Sequence, residues 1–250
     1  MSDEGKLPDF IICGFQKAGT TTIMEVLNQS SNIELTPNIT KSYVYGDEAH
    51  FFDLHWEKGI EWYKKIFNNN GKLQGDKTPD YIIEKGFIKK MYSVVPNAKL
   101  IVVMRNPVTR AYSAYNHYNT YYNEGHKEVA DWGWVAGESF LDNVKSFEKN
   151  PLISNGIYVD QLKNLFEFYP KDKVHIVVGE QMYKNGQEVF RGIFKFLRSE
   201  YQVLPFNVAH NKKEYKEQMD DESRKLLTEF YKPHNEILFK LLGYEIKEWS

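Results

Sequence analysis

The 250-residue sequence contains one cysteine, Cys13, so a disulfide bond within the chain is excluded. It has no apolar run near the roughly 18 residues that a membrane-spanning helix needs, and no apolar core follows its polar N-terminus. The formal net charge of −2 gives no overall electrostatic reason to bind nucleic acid or an anionic membrane. Repeats and low-complexity segments are also lacking. These absences predict a soluble, cytoplasmic protein without nucleic-acid or membrane partners, in which any charged site is local.

Three short apolar runs have the length and the β-branched content of buried strands: Phe10–Cys13, Leu100–Met104 and Val174–Val178. A helical pattern follows each run. Such alternation predicts an α/β fold in which helices flank a parallel sheet on both faces. The length suits one large domain over residues 1–250. Cys13 lies in the first run, where a cysteine packs as a small apolar side chain rather than acting as a catalytic thiol.

Helical periodicity and capping residues predict the remaining organisation. The predicted helices are Thr20–Gln29 with a threonine as N-cap, Ile60–Phe67, Gly86–Val95, Pro107 to about Tyr121, Ser139–Lys149, Val159–Phe168, Gln187–Leu197, and Asp221–Leu242 with a break at Pro233. The stretches 33–56 and 123–137 lack periodicity, and we expect loops there. A row of tyrosines spaced by three and four is typical of a core or a groove wall: Tyr112, Tyr115, Tyr118, Tyr121 and Tyr122.

A glycine-bounded segment, residues 14–19 and here called the glycine loop, reads Gly-Phe-Gln-Lys-Ala-Gly directly after the first predicted strand. Two threonines then begin a predicted helix, so backbone N–H groups and the positive helix end would face an anion. The spacing is G-x-x-x-x-G, yet the Gly-Lys-Ser/Thr of nucleotide triphosphatases is missing. With Lys17 inside the loop, the pattern favours a nucleotide that carries a short substituent on its 5′-phosphate. An ordinary strand-to-helix turn is the alternative interpretation.

A second motif, residues 105–113 and here called the arginine segment, begins where the central predicted strand ends. Pro107 suits the first turn of a helix, which places Ser113 about two turns into it. A guanidinium at the strand end and a hydroxyl on the helix, from Arg105 and Ser113, could hold one doubly charged phosphate. The alternative is an arginine that caps the sheet edge and a serine without a ligand.

Residues 47–53, the acid segment, read Asp-Glu-Ala-His-Phe-Phe-Asp. In an extended backbone Glu48 and His50 would point to the same side and offer two proton-accepting groups, while one phenylalanine anchors the segment in the core. An acidic surface turn explains the same residues without catalysis.

Residues 75–80, the lysine segment, read Gly-Asp-Lys-Thr-Pro-Asp. Pro79 predicts a non-helical turn that would direct Lys77 and Thr78 into a cleft. A solvated loop is the alternative interpretation of this segment.

Together, in this order, the four segments resemble the sulfotransferases that use 3′-phosphoadenosine 5′-phosphosulfate (PAPS). The similarity is closest to the heparan sulfate 3-O-sulfotransferases and to the sulfotransferase half of the N-deacetylase/N-sulfotransferases, and it spans about Phe10 to Tyr215. It implies the P-loop-like sulfotransferase fold and binding of PAPS, with adenosine 3′,5′-bisphosphate (PAP) as product. The cofactor-binding residues that it implies are Gln16, Lys17, Ala18, Gly19, Thr20, Thr21, Arg105, Ser113, Tyr158 and Lys213.

The resemblance also implies catalytic roles. Glu48 corresponds to the general base, and Lys77 corresponds to a lysine that lines the active site and orients the sulfuryl oxygens. Lys17 would offset the charge that develops on the bridging oxygen as PAP leaves. His50 is the rival base, because the cytosolic small-molecule sulfotransferases use a histidine. A sulfuryl group carries less charge than a phosphoryl group, so in-line transfer would need no metal ion.

The acceptor is expected to be a hydroxyl of an oligosaccharide, a phenol or another small alcohol, since a carboxylate base suits an alcohol and tyrosines can stack on sugars or phenols. No feature of the sequence indicates an oligomeric state. The animal relatives carry a disulfide and a Golgi anchor, which this sequence lacks, so we expect a microbial or viral cytoplasmic enzyme. A P-loop nucleotide kinase and a non-catalytic nucleotide-binding protein are the alternative functions.

Overall fold

The computed structural model describes residues 5–40, 46–127, 129, 133, 137–146, 150–206 and 217–249. The chain divides into two compact units. The first comprises residues 1–104 and 161–211, and the second comprises residues 105–160 and 212–250. The single domain expected over residues 1–250 stays a prediction.

The first unit contains a five-stranded sheet in which every described pairing is parallel. Its strands are β1 (Phe10–Gly14), β2 (Ile33–Leu35), β3 (Leu73–Lys77), β4 (Lys99–Met104) and β5 (Val174–Val178), in the spatial order β2-β3-β1-β4-β5. The α/β fold and the three predicted strands are confirmed. The side chains of β1 and most of those of β4 are buried, as expected for a central pair of parallel strands.

Strands β2 and β3 correct the sequence prediction, which placed loops there. The run in β3 is Leu-Gln-Gly-Asp-Lys, without the apolar or β-branched pattern of a buried strand. Its polar residues are nevertheless buried because they have partners: the Gln74 amide donates to Glu34, and Asp76 accepts bonds from three hydroxyl groups. A solvated loop is therefore the wrong interpretation of the lysine segment. Pro79–Ile82 forms a 3₁₀-helix, not the predicted non-helical turn, because Pro79 fits its first turn.

The helices of the described residues are α1 (Thr20–Leu27), α2 (Gly59–Lys64), α3 (Lys85–Val94), α4 (Pro107–Asn123), α5 (Phe140–Lys145), α6 (Pro151–Ser154), α7 (Tyr158–Phe166), α8 (Gly179–Lys184), α9 (Gly186–Leu197) and α10 (Asp221–Leu242). Eight of these helices match predicted ones, with ends that shift by a few residues, whereas the short helices α6 and α8 were not predicted. The predicted break in α10 is wrong, since the helix continues through Pro233. Burial of Leu227 and Tyr231 before the proline and of Leu238 after it stabilises both halves.

The core of the first unit includes Cys13, which is fully buried as predicted. Burial raises the pKa of its thiol to about 12, so the sulfur is a neutral thiol at pH 7 and has no catalytic reactivity. In the second unit the predicted tyrosine row packs as expected. Tyr118 is buried in an apolar cluster, and the other four tyrosines are partly buried against it. Among the described residues, no helix has both the length and the apolar character that crossing a membrane requires.

Candidate active site

The sheet has its topological switch point at β1, because β2 and β3 lie on one side of it and β4 and β5 on the other. Ligands of open parallel sheets bind beyond the carboxyl ends of the strands at such a point. The glycine loop follows β1, and Lys77 ends β3 in register with Ile12. The Thr78 N–H donates to the Ile12 carbonyl at 3.1 Å. The glycine loop and the lysine segment therefore lie at the same edge of the sheet.

The glycine loop turns tightly into α1. The Phe15 N–H donates to the Val103 carbonyl at 2.7 Å, and the Ala18 N–H donates to the Phe15 carbonyl at 3.2 Å. Lys17 and Gly19 both have positive φ, of 64° and 110°. The predicted threonine N-cap is wrong, because Gly19 occupies that position in a left-handed conformation and makes no side-chain cap. Gly19 therefore supplies no side-chain cap that would compete with an anion at this helix end.

Two glycines allow α8 to pack against this loop. A Cβ atom at Gly179 would lie 2.8 Å from the Ala18 carbonyl oxygen, which is too close for any other residue. A Cβ atom at Gly19 would lie 2.9 Å from the Met182 side chain, and its positive φ also favours glycine. The glycine loop is therefore in close contact with α8. The sequence signal for this contact is Gly179, which follows β5 directly and was not among the predicted site residues.

The acid and lysine segments meet in a cluster of charged side chains. Glu48 Oε1 lies 2.7 Å from Lys77 Nζ, and Glu48 Oε2 lies 3.0 Å from His50 Nε2. His50 Nδ1 lies 2.6 Å from Asp53 Oδ2. Only 3% of the Lys77 and His50 side chains and 17% of the Glu48 side chain is exposed, so an acidic surface turn is the wrong interpretation.

The predicted reason for the Glu48–His50 contact was wrong, although the two groups do meet. His50 has φ of 46°, so the segment is not extended at this residue. The chain turns there, and the His50 carbonyl accepts bonds from the N–H groups of Leu54 and His55. Both Phe51 and Phe52 are fully buried, where the sequence predicted one anchor.

The ion pairs determine the charges of this cluster. Burial is the largest influence on Glu48 and raises its pKa, but His50 and Lys77 outweigh it, and the net pKa lies below the usual value. Burial lowers the pKa of His50, yet the bonds to Asp53 and Glu48 raise it to about 10. At pH 7 Glu48 is therefore a carboxylate and His50 an imidazolium. Of these two groups, only Glu48 is ready to accept a proton in this arrangement.

Asp53 and Asp80 belong to the cluster and were missed as site residues. Asp53 lies three residues after His50, and Asp80 follows Pro79, so both were visible at the ends of recognised motifs. Burial, followed by the charge of Glu48, raises the pKa of Asp80 to about 7. Among the described residues, its Oδ1 atom is buried without a hydrogen-bond partner. The cluster therefore contains a carboxyl group that changes its charge near neutral pH.

Donor atoms of Glu48, His50 and Asp80 all lie within 4.8 Å of one another, a spacing that a metal ion could use. The chemistry of the set does not fit a cation. The Lys77 ammonium already occupies Glu48 Oε1, and a protonated His50 has no lone pair for a metal. A metal-independent reaction stays a prediction that this donor set supports.

The arginine segment lies in the second unit and begins α4. The Asn106 side chain caps this helix by accepting a bond from the Val108 N–H at 3.0 Å. Arg105 Nε donates to Thr109 Oγ1 at 3.0 Å, and the Tyr158 hydroxyl donates to the Arg105 carbonyl at 2.7 Å. Two of the predicted cofactor-binding residues, Arg105 and Tyr158, are thus brought together.

Two further residues of the second unit, Ser113 and Lys213, were predicted to bind the cofactor. Ser113 is buried on α4 in the same unit. Lys213 lies outside the described residues.

The fold is therefore that of an α/β protein with a glycine loop at the switch point of its parallel sheet. A buried carboxylate–lysine pair lies at the same sheet edge. The sulfotransferase domain profile matches residues 7–234, so the chain belongs to the sulfotransferase family. The resemblance stated from the sequence is confirmed.

The chain is similar to relatives of the heparan sulfate branch. It is 29% identical over 213 residues to mouse heparan sulfate glucosamine 3-O-sulfotransferase 5, covering 82% of this chain and 58% of that protein. It is 27% identical over 277 residues to human bifunctional heparan sulfate N-deacetylase/N-sulfotransferase 2, covering 98% of this chain and 31% of that protein. The chain thus spans less than two thirds of the length of these relatives.

The crystal structure of a sulfotransferase from Alicyclobacillus acidocaldarius has the same fold. It matches with a TM-score of 0.76 and 24% identity, covering 97% of this chain and 98% of that one.

Proposed function

We propose that this protein transfers the sulfuryl group of PAPS to a hydroxyl group of an acceptor and releases PAP. The observation that carries the proposal is the buried contact between Glu48 and Lys77, at the sheet edge that also bears the glycine loop. This contact supports a role for an ionised carboxylate and a cation at the sheet edge whose loop is suited to a nucleotide's 5′-phosphate. Family membership supports sulfuryl transfer as the reaction.

The glycine loop and the start of α1 would hold the 5′-phosphosulfate of the donor. Backbone amides and the positive end of a helix favour a negatively charged group without contributing a charge of their own. The residues of this proposed subsite are Gln16, Lys17, Ala18, Gly19, Thr20 and Thr21. In the second unit, Arg105, Ser113 and Tyr158 are proposed for the 3′-phosphate, together with Lys213.

In the proposed reaction the acceptor oxygen forms a bond to sulfur while the bond from sulfur to the bridging phosphate oxygen breaks. Glu48 takes the proton of the acceptor hydroxyl, and the electron pair of the broken bond stays on PAP. Lys17 offsets the charge on that oxygen, which grows only as the bond breaks, so this interaction lowers the barrier. An ammonium has three N–H donors, so Lys77 can hold Glu48 and also bind a sulfuryl oxygen.

A sugar hydroxyl is the acceptor that we favour. The two relatives above are named as enzymes that act on heparan sulfate, and this supports a carbohydrate acceptor here. A phenol or another small alcohol is the second class to test. A cytoplasmic location, without nucleic-acid or membrane partners, stays a prediction from the sequence, and detection of the native protein in a secretory compartment would contradict it.

Calorimetric titration tests the donor site directly. PAP, adenosine 5′-monophosphate and ATP are titrated separately into the protein without magnesium. We expect tight binding of PAP that depends on its 3′-phosphate, followed by transfer of label from sulfur-labelled PAPS to an acceptor panel. Preference for ATP would favour a kinase, and PAP binding without transfer to any acceptor would favour a non-catalytic nucleotide-binding protein.

A further inference from the structure

Asp76 is a fully buried carboxyl group on β3, one residue before Lys77. Its Oδ1 atom accepts a hydrogen bond from Thr78 Oγ1 at 2.8 Å. Its Oδ2 atom accepts bonds from the hydroxyl groups of Tyr63 at 2.7 Å and Tyr81 at 3.0 Å. Three hydroxyl donors on one buried carboxyl group form a polar network in the protein interior.

Two of these hydroxyl groups also contact the backbone of the acid segment. Thr78 Oγ1 accepts bonds from the N–H groups of Ala49 at 3.1 Å and His50 at 3.4 Å. The Tyr81 hydroxyl accepts a bond from the Phe51 N–H at 2.8 Å. Three consecutive amides next to Glu48 are therefore held by side chains that Asp76 holds in turn.

Asp76 determines the direction of these hydrogen bonds. Burial raises the pKa of Asp76 and the three hydroxyl bonds lower it. The net pKa is about 6, so the carboxyl group is mainly ionised at pH 7. A carboxylate can only accept, and each hydroxyl has one proton to donate. Thr78 and Tyr81 therefore donate their hydroxyl protons to Asp76, and their oxygen lone pairs accept hydrogen bonds from the amides of residues 49–51. A side chain able to donate at position 76 would reverse this direction for at least one hydroxyl.

The acid segment needs such support because its backbone is unfavourable at His50. The residue has φ of 46°, in the left-handed region that residues with a Cβ atom rarely adopt. Residues in such conformations persist only where their surroundings over-determine them. The Glu48 carboxylate is attached two residues earlier, so a change of this turn would move it relative to Lys77.

We propose that Asp76 is a positioning residue that acts through Thr78 and Tyr81 on the backbone of residues 49–51, and so fixes where Glu48 meets the acceptor. It touches neither donor nor acceptor in this role. The kinetic part of the inference rests on the proposed function, whereas its structural part does not.

The experiment compares Thr78→Val and Tyr81→Phe, which remove the two connecting hydroxyl groups, with Tyr63→Phe as matched control. Tyr63 donates to the same Asp76 oxygen as Tyr81 but has no contact with the amides of residues 49–51 among the described contacts. Tyr81→Phe and Tyr63→Phe each remove the hydroxyl group and keep the aromatic ring. Thr78→Ser serves as the conservative rescue, because it restores the hydroxyl group. Amide hydrogen exchange of the peptide covering residues 47–55 is measured for every variant, and thermal unfolding reports global stability.

We expect faster exchange in residues 49–51 for Thr78→Val and Tyr81→Phe, and wild-type exchange there for Tyr63→Phe. With sulfur-labelled PAPS, kcat should fall about tenfold to a hundredfold in the first two variants, since small displacements of a reacting group have effects of this size. Thr78→Ser should recover kcat to within about threefold, and the Kd for PAP should stay unchanged throughout.

Two results would overturn the inference: unchanged exchange at residues 49–51 in both connecting variants, or an equal loss of kcat in Tyr63→Phe. The acceptors used are 4-nitrophenol and a desulfated heparan oligosaccharide. If the wild-type protein transfers sulfate to neither compound, the proposed function fails on this panel, and the exchange comparison still decides whether the Thr78 and Tyr81 hydroxyl groups that bind Asp76 hold the segment.

Discussion

Lys77 Nζ lies 2.7 Å from Glu48 Oε1, so the candidate base has a counter-ion within the protein itself. The second oxygen of the same carboxylate faces His50 at 3.0 Å. Two cations therefore hold Glu48 ionised, and they also make it a weaker base than a free carboxylate. This fits a reaction in which the acceptor hydroxyl becomes acidic only as its oxygen bonds to sulfur, because the base need not deprotonate a free alcohol beforehand.

The first prediction concerns Glu48→Gln, which keeps the shape of the side chain and removes its ability to take a proton. We expect kcat to fall by about two to four orders of magnitude, the usual contribution of a general base. Because Glu48 is not assigned to donor binding, the Kd for PAP from calorimetry should stay within about twofold of wild type. The comparison variant is His50→Ala. If that variant is inactive while Glu48→Gln retains activity, the base is His50.

The second prediction concerns Lys17→Ala. If Lys17 offsets charge on the leaving oxygen, kcat should fall by about a hundredfold or more, as for other donors that act mainly in the transition state. Lys89→Ala removes an exposed lysine of α3 and serves as the control, with no expected change in kcat. Steady-state rates with labelled PAPS give both values. A loss of less than about threefold for Lys17→Ala would remove the leaving-group role.

Sequence motifs predicted the glycine loop and the residues Glu48, His50 and Lys77, because each lies in a short segment whose residue types indicate its chemistry. The strand that carries Lys77 could not be predicted in this way. Gln74 and Asp76 are buried in it, and the hydroxyl donors that make burial of Asp76 favourable come from Tyr63 and Tyr81 on other elements. A polar strand satisfied by distant partners resembles a solvated loop in the sequence. The turn at His50 was missed for a related reason, since hydroxyl groups of another segment hold it.

The third prediction concerns the 3′-phosphate. Arg105→Ala should weaken PAP binding about tenfold to a hundredfold, as expected for loss of a charge-assisted bond to a phosphate. Binding of adenosine 5′-monophosphate, which lacks that group, should change little. Arg224→Ala, which removes an exposed arginine of α10, is the matched control. Calorimetry measures the affinities of both variants for PAP and for adenosine 5′-monophosphate, against those of the wild type. An equal loss of affinity for both nucleotides would mean that Arg105 affects the site without contacting the 3′-phosphate.

The fourth prediction follows from the pKa of His50, which the bonds to Asp53 and Glu48 raise to about 10 from an ordinary value of 6.5. Between these values the folded protein holds a proton that the unfolded chain releases, so rising pH favours unfolding. The stability that the His50 proton contributes is complete below pH 6.5 and is lost as pH rises toward 10. Over this range the free energy of unfolding falls by up to about 1.4 kcal/mol per pH unit. Asp80 acts in the same direction at lower pH, because its raised pKa of about 7 gives the folded state an extra proton between pH 3.8 and 7.

Denaturant unfolding at pH 8, 8.5 and 9 separates the two groups, since the Asp80 carboxyl, with a pKa of about 7, is mainly ionised from pH 8 upward. The free energy of unfolding of the wild-type protein should decrease over this range, and His50→Gln should show a shallower decrease because it has no imidazolium to lose. His55→Gln is the control. Burial lowers the pKa of His55, so its imidazole is mainly neutral above pH 7 in the folded and in the unfolded protein. Its replacement should leave the slope of the unfolding free energy against pH unchanged. Equal slopes for the wild type and His50→Gln would show that His50 is not held as an imidazolium, and would restore it as a candidate base.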